Sequence, residues 1–155
     1  MRPALMFCSA ICLLAQSPAE KAITAVLDDW HRAAAQADET RYFGHFAEGA
    51  VFLGTDATER WTKAAFQAWA HPHFQHGKAW DFRSTRRAIS VSSDGRTAWF
   101  DEDLATSTMG PCRGSGVLTL ERDRWLIRQY NLSLPIPNPL MQSVRTQIEQ
   151  LSKKQ

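Results

Sequence analysis

Residues 125–133 have the sequence WLIRQYNLS, in which large side chains occupy both alternating faces of a predicted β-strand. One face consists of Trp125, Ile127, Gln129, Asn131 and Ser133, and the other of Leu126, Arg128, Tyr130, Leu132 and Leu134. A strand with bulky groups on both faces suits a sheet that lines a cavity with one face and meets a partner with the other. Pro135-Ile136-Pro137 ends the predicted sheet, because proline cannot donate to a strand ladder.

The preceding residues predict three more strands, which form hairpins with one another and with the closing strand. Their ranges are 79–91, 97–108 and 112–121. Polar turn sequences at residues 93–96 and 122–124 separate them, as in an antiparallel sheet. A short apolar run at residues 50–53 predicts one strand earlier in the chain.

The N-terminal part of the chain has helical periodicity. A first helix is predicted from Pro18 to Ala37. Its apolar stripe consists of Ile23, Val26, Leu27, Trp30, Ala34 and Ala37. Asp38 caps a predicted second helix that ends at Gly49. The buried side of this second helix consists of Tyr42, Phe43 and Phe46.

A third helix is predicted after Thr62, which has the side chain of an N-cap. It carries Phe66 and Trp69, and we expect Pro72 to break it. A last helix follows the sheet, and its apolar side consists of Leu140, Val144, Ile148 and Leu151.

Helices followed by a run of antiparallel strands define an α+β domain. We expect the curved sheet to wrap around the N-terminal helices as a cone with a pocket at its wide end. The chain has 155 residues, of which 44% are hydrophobic, enough for one domain with a true core. The predicted domain covers residues 18–137, and residues 138–155 form a helical extension. The formal net charge is only +2 and no Lys/Arg block stands out, so we expect no nucleic-acid partner.

The N-terminus has the features of a secretory signal. Arg2 precedes an apolar run at residues 4–15, which is too short to span a bilayer. Residues 17–20 form a predicted helix-capping box. A signal peptide of residues 1–15, cleaved after Ala15, is therefore favoured, because cleavage after Ala19 would remove this cap. A buried N-terminal helix is the alternative. We therefore expect a periplasmic or secreted product that has no membrane contact after signal removal.

Several segments occur in a recognisable order. They are Tyr42-Phe43, residues 50–56, residues 59–62, residues 98–102, residues 113–118 and the closing strand with Pro135-Ile136-Pro137. Over residues 22–137 their order and spacing resemble the nuclear transport factor 2 superfamily, and its SnoaL-like branch in particular. The resemblance implies the cone-shaped α+β fold.

The resemblance leaves function open, because the superfamily includes isomerases, polyketide cyclases, dehydratases, binding modules and oligomerisation domains. Members similar to this chain are often small exported proteins without an assigned reaction. One hypothesis is an exported protein that binds a small hydrophobic or acidic molecule in the pocket. The alternatives are an enzyme of the isomerase, cyclase or dehydratase type and a non-catalytic oligomerisation module.

Glu102 is the predicted catalytic residue of the enzyme hypothesis. It shares a strand face with Phe100 and Leu104, and apolar neighbours raise the pKa of a carboxyl group. A raised pKa suits a general acid or base near neutral pH. The alternative is a structural ion pair that fixes the sheet, for which Arg113 is the predicted partner.

The predicted ligand-binding residues are those expected to face the inside of the cone. They are Trp30, Tyr42, Phe46, Trp61, Phe66, Phe100, Arg113, Trp125, Gln129 and Asn131. Arg113 offers a planar guanidinium to an anionic ligand, with a solvated strand end as the alternative. Gln129 and Asn131 need hydrogen-bond partners if their face is interior, and either a ligand or the protein supplies them.

No metal and no cofactor are predicted. His71, His73 and His76 have the spacing H-x-H-x-x-H, which binds zinc only where the imidazoles converge. Pro72 disrupts their alignment, so exposed histidines at a helix end are the favoured interpretation. The sequence contains no Gly-rich phosphate loop or dinucleotide fingerprint.

A homodimer is predicted through the outer face of the sheet. Trp99 shares the face opposite Glu102 with Asp101, and we expect Tyr130 and Leu132 to extend an apolar patch there. An isolated domain rarely exposes such a patch. A second copy would cover it by sheet-to-sheet contact, and the C-terminal helix is the competing cover.

Overall fold

The computed structural model describes residues 16–77 and 79–153, so the predicted signal peptide lies outside the described residues. The elements are α1 (Pro18–Ala35), α2 (Glu39–Gly44), β1 (Phe46–Leu53), β2 (Arg60–Thr62), α3 (Lys63–Gln75), β3 (Arg83–Val91), β4 (Thr97–Ala105), β5 (Cys112–Glu121), β6 (Arg124–Ser133), a 3-10 turn (Asn138–Leu140) and α4 (Met141–Ser152). This order confirms an α+β domain. Within the described ranges, no helix is long and apolar enough to cross a membrane.

The predicted helix caps are present. The Ser17 hydroxyl accepts from the Glu20 backbone N–H at 3.2 Å, and the Glu20 carboxylate accepts from the Ser17 N–H at 2.6 Å, which completes the capping box. Asp38 and Thr62 accept from backbone N–H groups of α2 and α3. Each cap satisfies donors that a helix start leaves open, so these positions were readable from sequence.

Two predicted helix ends are wrong. The second helix ends at Gly44 rather than Gly49, because Phe46 already begins strand β1 and Gly49 lies within that strand at a φ of 70°. The third helix continues through Pro72 to Gln75. Phe74 is buried and anchors that last turn against the core, so tertiary packing overrides the local preference of proline.

The strands form one six-stranded sheet in the order β2-β1-β6-β5-β4-β3. The sheet is curved and does not close on itself. Its neighbours pair antiparallel except β1 and β6, which pair parallel. The core lies between the sheet and the helices, and it includes Leu27 and Trp30 of α1 together with Phe100 and Ile127 of the sheet.

An extra residue in β6 decides which side chains of the closing strand face the helices. Val117 pairs with Gln129 and the next residue, Leu118, pairs with Ile127, so Arg128 is the bulged residue. Ile127 is buried before the bulge, whereas Gln129 is exposed after it. The prediction of one uninterrupted inner face is therefore wrong.

The bulge also corrects the predicted outer patch. Tyr130 and Leu132 pack on the inner side of the sheet, where Tyr130 is 2% exposed, rather than beside Trp99. Trp99 is on the outer face as predicted, with 52% of its surface exposed. The strand register places Val117, Gln129 and Val51 in a row beside it. No residue of α4 is buried, so the C-terminal helix does not cover this face.

Candidate functional site

A mainly aromatic cavity of about 200 Å³ lies between the inner face of the sheet and helices α1 to α3. Its lining consists of Trp30, Tyr42, Phe52, Gly54, Thr55, Glu59, Trp61, Phe66, Trp69, Trp80, Phe82, Thr108, Met109, Tyr130 and Leu132. We call this site the aromatic cavity. Trp69 and Met109 are 46% and 38% exposed, so they lie at its solvent side.

One wall of the aromatic cavity is a stack of nearly parallel rings. Trp61 stacks on Phe66 with centroids 5.5 Å apart and an interplanar angle of 3°. Phe52 continues the stack behind Phe66 at 4.0 Å and 18°, and Trp69 continues it beyond Trp61 at 4.8 Å and 24°. Rings held in this way present a flat, rigid, apolar surface, which matches a planar ligand.

Two residues of the cavity lining carry polar atoms that are closed off from the open volume of the cavity. The Trp30 indole N–H and the Tyr42 hydroxyl are buried, and neither is hydrogen-bonded within residues 16–77 and 79–153. Their rings stack with centroids 5.1 Å apart. Burial raises the pKa of Tyr42 well above its usual value, and the nearby Trp80 indole has a smaller, opposite effect. Tyr42 therefore remains a neutral hydroxyl at physiological pH.

A second polar cluster of the core centres on the Glu102 carboxylate, and both of its oxygens accept hydrogen bonds. One buried donor of this cluster, Arg87 Nη2, makes no hydrogen bond of good geometry among the described residues. Glu102, which is 0% exposed, accepts from His31 Nε2 at 2.8 Å and from the Tyr130 hydroxyl at 3.2 Å through Oε1. Its Oε2 accepts from Arg87 Nε at 2.9 Å and lies 2.8 Å from Arg87 Nη2. Arg87 also binds Asp28 at 2.8 Å, which ties β3 to α1. We call Glu102, His31, Arg87 and Tyr130 the Glu102 network.

The expected high pKa of Glu102 is wrong. Burial does favour the neutral acid, but the hydrogen bond and charge of His31 and the guanidinium of Arg87 together outweigh it and lower the pKa. The predicted partner was also wrong, since Arg113 lies on the outer face, 4.0 Å from Asp103. The sequence shows Glu102 among apolar neighbours, but its cationic partners come from α1 and β3.

Glu102 does not line the aromatic cavity, and the Glu102 network reaches the cavity through Tyr130. Gly114 makes this arrangement possible, because a Cβ atom at that position would overlap the Tyr130 hydroxyl. The general acid or base role of Glu102 thus stays a prediction, and any effect of Glu102 on a bound molecule has to pass through Tyr130.

The sequence model of the SnoaL-like domain family matches residues 23–137. The chain belongs to the SnoaL-like domain family. A search of curated proteins finds no significant match.

Solved structures share the fold of this SnoaL-like domain. A nuclear transport factor 2-like protein of unknown function from Pseudomonas putida is 13% identical with a TM-score of 0.63, over 77% of this chain and 89% of that one. A cystatin-like protein of unknown function from Nostoc punctiforme is 12% identical with a TM-score of 0.64, over 81% and 98%. A candidate scytalone dehydratase from Novosphingobium aromaticivorans is 9% identical with a TM-score of 0.60, over 75% and 83%. At these identities the likeness shows the fold alone.

The SnoaL-like domain brings some of the predicted ligand-binding residues together and separates others. Trp30, Tyr42, Trp61 and Phe66 line the aromatic cavity. The residues that do not line it are Phe46, Phe100 and Trp125, which are core side chains, and Gln129, Asn131 and Arg113, which are on the outer face. The β6 bulge places the amides of Gln129 and Asn131 on the outer face, and strand alternation places Arg113 there.

Sequence reasoning missed several lining residues of the SnoaL-like domain. Trp80 and Phe82 are two residues apart, which is the spacing of one strand face and was a usable signal. Thr108 and Met109 lie in the loop between β4 and β5, where no periodicity marks them. Tyr130 was assigned to the wrong face because the bulge has no sequence signature.

The histidines do not converge. His71 is 2.7 Å from Glu39 through Nδ1, and the His73 ring packs 4.8 Å from Trp69. Among the described residues, no group of three His, Cys, Asp or Glu side chains is placed to hold a metal ion.

Proposed function

We propose that this SnoaL-like domain is an exported protein that binds a small, flat, neutral apolar molecule in the aromatic cavity. The observation that carries the proposal is the stacked wall of Trp61, Phe66 and Phe52 beside an open volume of about 200 Å³. An apolar protein cavity of roughly 150 Å³ holds benzene. The aromatic cavity therefore suits a molecule of one or two rings.

The lining favours a neutral ligand over an acidic one. Among the described residues, Glu59 is the only charged side chain that lines the aromatic cavity, and it is acidic. A carboxylate there would lose hydration without gaining a cationic partner, which is unfavourable. Of the two expected kinds of ligand, hydrophobic and acidic, the cavity lining therefore favours the hydrophobic one.

Export is the part of the proposal that rests on residues 1–15. Their basic start and short apolar run are typical of a secretory signal. Mass spectrometry of the full chain expressed in a Gram-negative host, after fractionation, tests it. We expect a periplasmic product that begins at Gln16; an uncleaved cytoplasmic product would reject export.

The binding proposal has a matched pair of tryptophan variants. Trp69 lines the aromatic cavity and Trp99 lies on the outer face, yet they are similarly exposed at 46% and 52%. We expect Trp69→Ala to weaken binding of indane about tenfold, from lost ring contact, and Trp99→Ala to leave it unchanged. Indane that fails to bind the wild type, by titration calorimetry, would reject the proposal. A module that only oligomerises would give that result.

Acid–base catalysis is a second candidate function, and one contact favours it. Tyr130 lines the aromatic cavity and donates to Glu102, so a proton position in the Glu102 network is coupled to the bound molecule. Exchange of the α-protons of 1-indanone into deuterated water, followed by NMR, tests it. We expect exchange above the buffer rate in the wild type and loss of that excess in Glu102→Gln. Wild-type exchange at the buffer rate would leave only the binding function.

A homodimer through the outer sheet face is proposed for the assembly. Trp99 is half-exposed beside Val117, its row continues across the sheet through Gln129 to Val51, and no residue of α4 covers it. A second copy would remove this apolar row from water. We expect light scattering after size-exclusion chromatography to give a dimer for the wild type and a monomer for Trp99→Glu. A monomeric wild type would count against this face as an interface.

A further inference from the structure

The strand pairing places a carboxylate on the face of the sheet that lines the aromatic cavity. Phe52 of β1 pairs with Trp61 of β2, and both rings line the cavity. The Gly54 N–H donates to the Glu59 carbonyl at 2.9 Å, which continues the same ladder by one more pair on that face. Side chains two residues apart share a strand face, so Glu59 projects from the same face as Trp61. Glu59 is accordingly half-buried, whereas the intervening Arg60 is exposed.

The Glu59 carboxylate lies over Gly54, whose backbone is also part of the cavity lining. A Cβ atom at Gly54 would overlap this carboxylate, so the glycine leaves the space that the carboxylate occupies. One oxygen, Oε2, accepts from the Asp56 N–H at 3.2 Å. Within the described part of the chain, Oε1 accepts no hydrogen bond. Because the side chain is only half-buried and lies on the cavity face, Oε1 is a free acceptor at the cavity wall.

We propose that the bound molecule carries a neutral hydrogen-bond donor, of the phenol or aryl N–H class, which donates to the Glu59 carboxylate. This inference rests on the proposed binding function and adds the polar group of the ligand. An ionised carboxylate has lone pairs and no hydrogen, so it selects a donor over an acceptor. Hydrogen bonds to a charged acceptor are stronger than neutral ones. A single donor therefore suffices to orient the rings of the ligand on the face of Trp61.

Two other polar groups match the site less well. A ketone or ether oxygen would bring its lone pairs against the carboxylate, which is repulsive. An ammonium group would pair with Glu59 and with the faces of the rings. It would, however, leave its full hydration for a cavity with one charged side chain among the described residues, which costs more than the transfer of a hydroxyl group.

The test uses probes that share one ring skeleton and differ in the polar group: indane, 4-indanol, 5-indanol and 2-aminoindane. Each is titrated calorimetrically into the full-length wild type and into Glu59→Gln. The glutamine keeps the shape of the side chain. Its amide oxygen accepts from the Asp56 N–H as Oε2 does, so its amide nitrogen donates where Oε1 accepts. We expect the wild type to bind at least one indanol more tightly than indane, and Glu59→Gln to weaken that indanol roughly three- to tenfold. Indane affinity should not change.

Asp56→Asn is the matched control, because it removes a carboxylate charge from the same turn at a residue that does not line the cavity. It should leave the affinities of all four probes unchanged. If neither indane nor an indanol binds the wild type, the proposed function fails. If indane binds and no indanol binds more tightly, or if Glu59→Gln changes indane and the indanols by the same factor, the binding function stands and the donor assignment is overturned. Tighter binding of 2-aminoindane than of either indanol would replace the neutral donor with a cation.

Discussion

Tyr42 and Tyr130 offer an internal comparison, because the same substitution should change stability in opposite directions. Both side chains are buried, at 1% and 2% exposure, and both rings pack against Trp30. The Tyr42 hydroxyl has no acceptor among the described residues, whereas the Tyr130 hydroxyl donates to Glu102. Phenylalanine keeps the ring in each case, so only the hydroxyl is tested.

The magnitudes follow from the cost of an unpaired group and the value of a charged hydrogen bond. A buried polar group without a partner costs about 1–3 kcal/mol, so Tyr42→Phe should raise the free energy of unfolding by about 1 kcal/mol. A hydrogen bond to an ionised acceptor contributes about 1.5–3 kcal/mol, so Tyr130→Phe should lower it by about 2 kcal/mol. For a chain of this size the two variants should melt roughly 6–12 °C apart.

Urea unfolding at pH 7, followed by circular dichroism, measures both free energies on the ligand-free protein. The denaturant slope should be the same for both variants and the wild type, because the surface exposed on unfolding does not change. Equal destabilisation by Tyr42→Phe and Tyr130→Phe would refute the reasoning. It would mean that the Tyr42 hydroxyl already has an acceptor.

Three further substitutions test the structure around the cavity, each by urea unfolding. Gly114→Ala should lower the free energy of unfolding by about 2 kcal/mol, because the new methyl group displaces the Tyr130 hydroxyl that is bound to Glu102. Gly44→Ala is the control and should be neutral or stabilising, since a Cβ atom there meets no atom within 4 Å. Equal costs for the two variants would reject the role of Gly114 in making room for the Tyr130 hydroxyl. Glu102→Gln should cost about 3–5 kcal/mol, because a neutral amide replaces the buried carboxylate that pairs with both Arg87 and His31; a loss under 1 kcal/mol would contradict it. The Arg41 hydrogen bond lowers the pKa of Asp29 from 3.8 to about 2, so Asp29 stabilises the fold above pH 4 and this contribution is lost progressively as the pH falls from about 5 to about 1. Asp29→Asn should therefore cost about 1 kcal/mol at pH 7, after allowance for screening, and only a small fraction of that at about pH 2; an undiminished cost at about pH 2 would be inconsistent with an ionic origin.

Helix α1 shows how far sequence reasoning reached toward the site. The apolar stripe correctly predicted that Trp30 is buried, and the capping box fixed the helix start. His31 is not part of the predicted stripe, although it follows Leu27 by four residues and thus lies next to it. That spacing was a usable signal for a buried histidine, but it does not identify Glu102 as the partner.

The pairing of Glu102 with Arg87 depends on strand register, which the sequence does not determine. Arg87 reads as a charge in the middle of an Arg-rich strand. Only the ladder between β3 and β4 places it directly opposite Glu102, on the inner side of the sheet. The sequence does not reveal the β6 bulge at Arg128 either, and this single extra residue reverses the face of every later side chain in the strand. Local patterns therefore predicted the elements, whereas the contents of the cavity depended on long-range pairing.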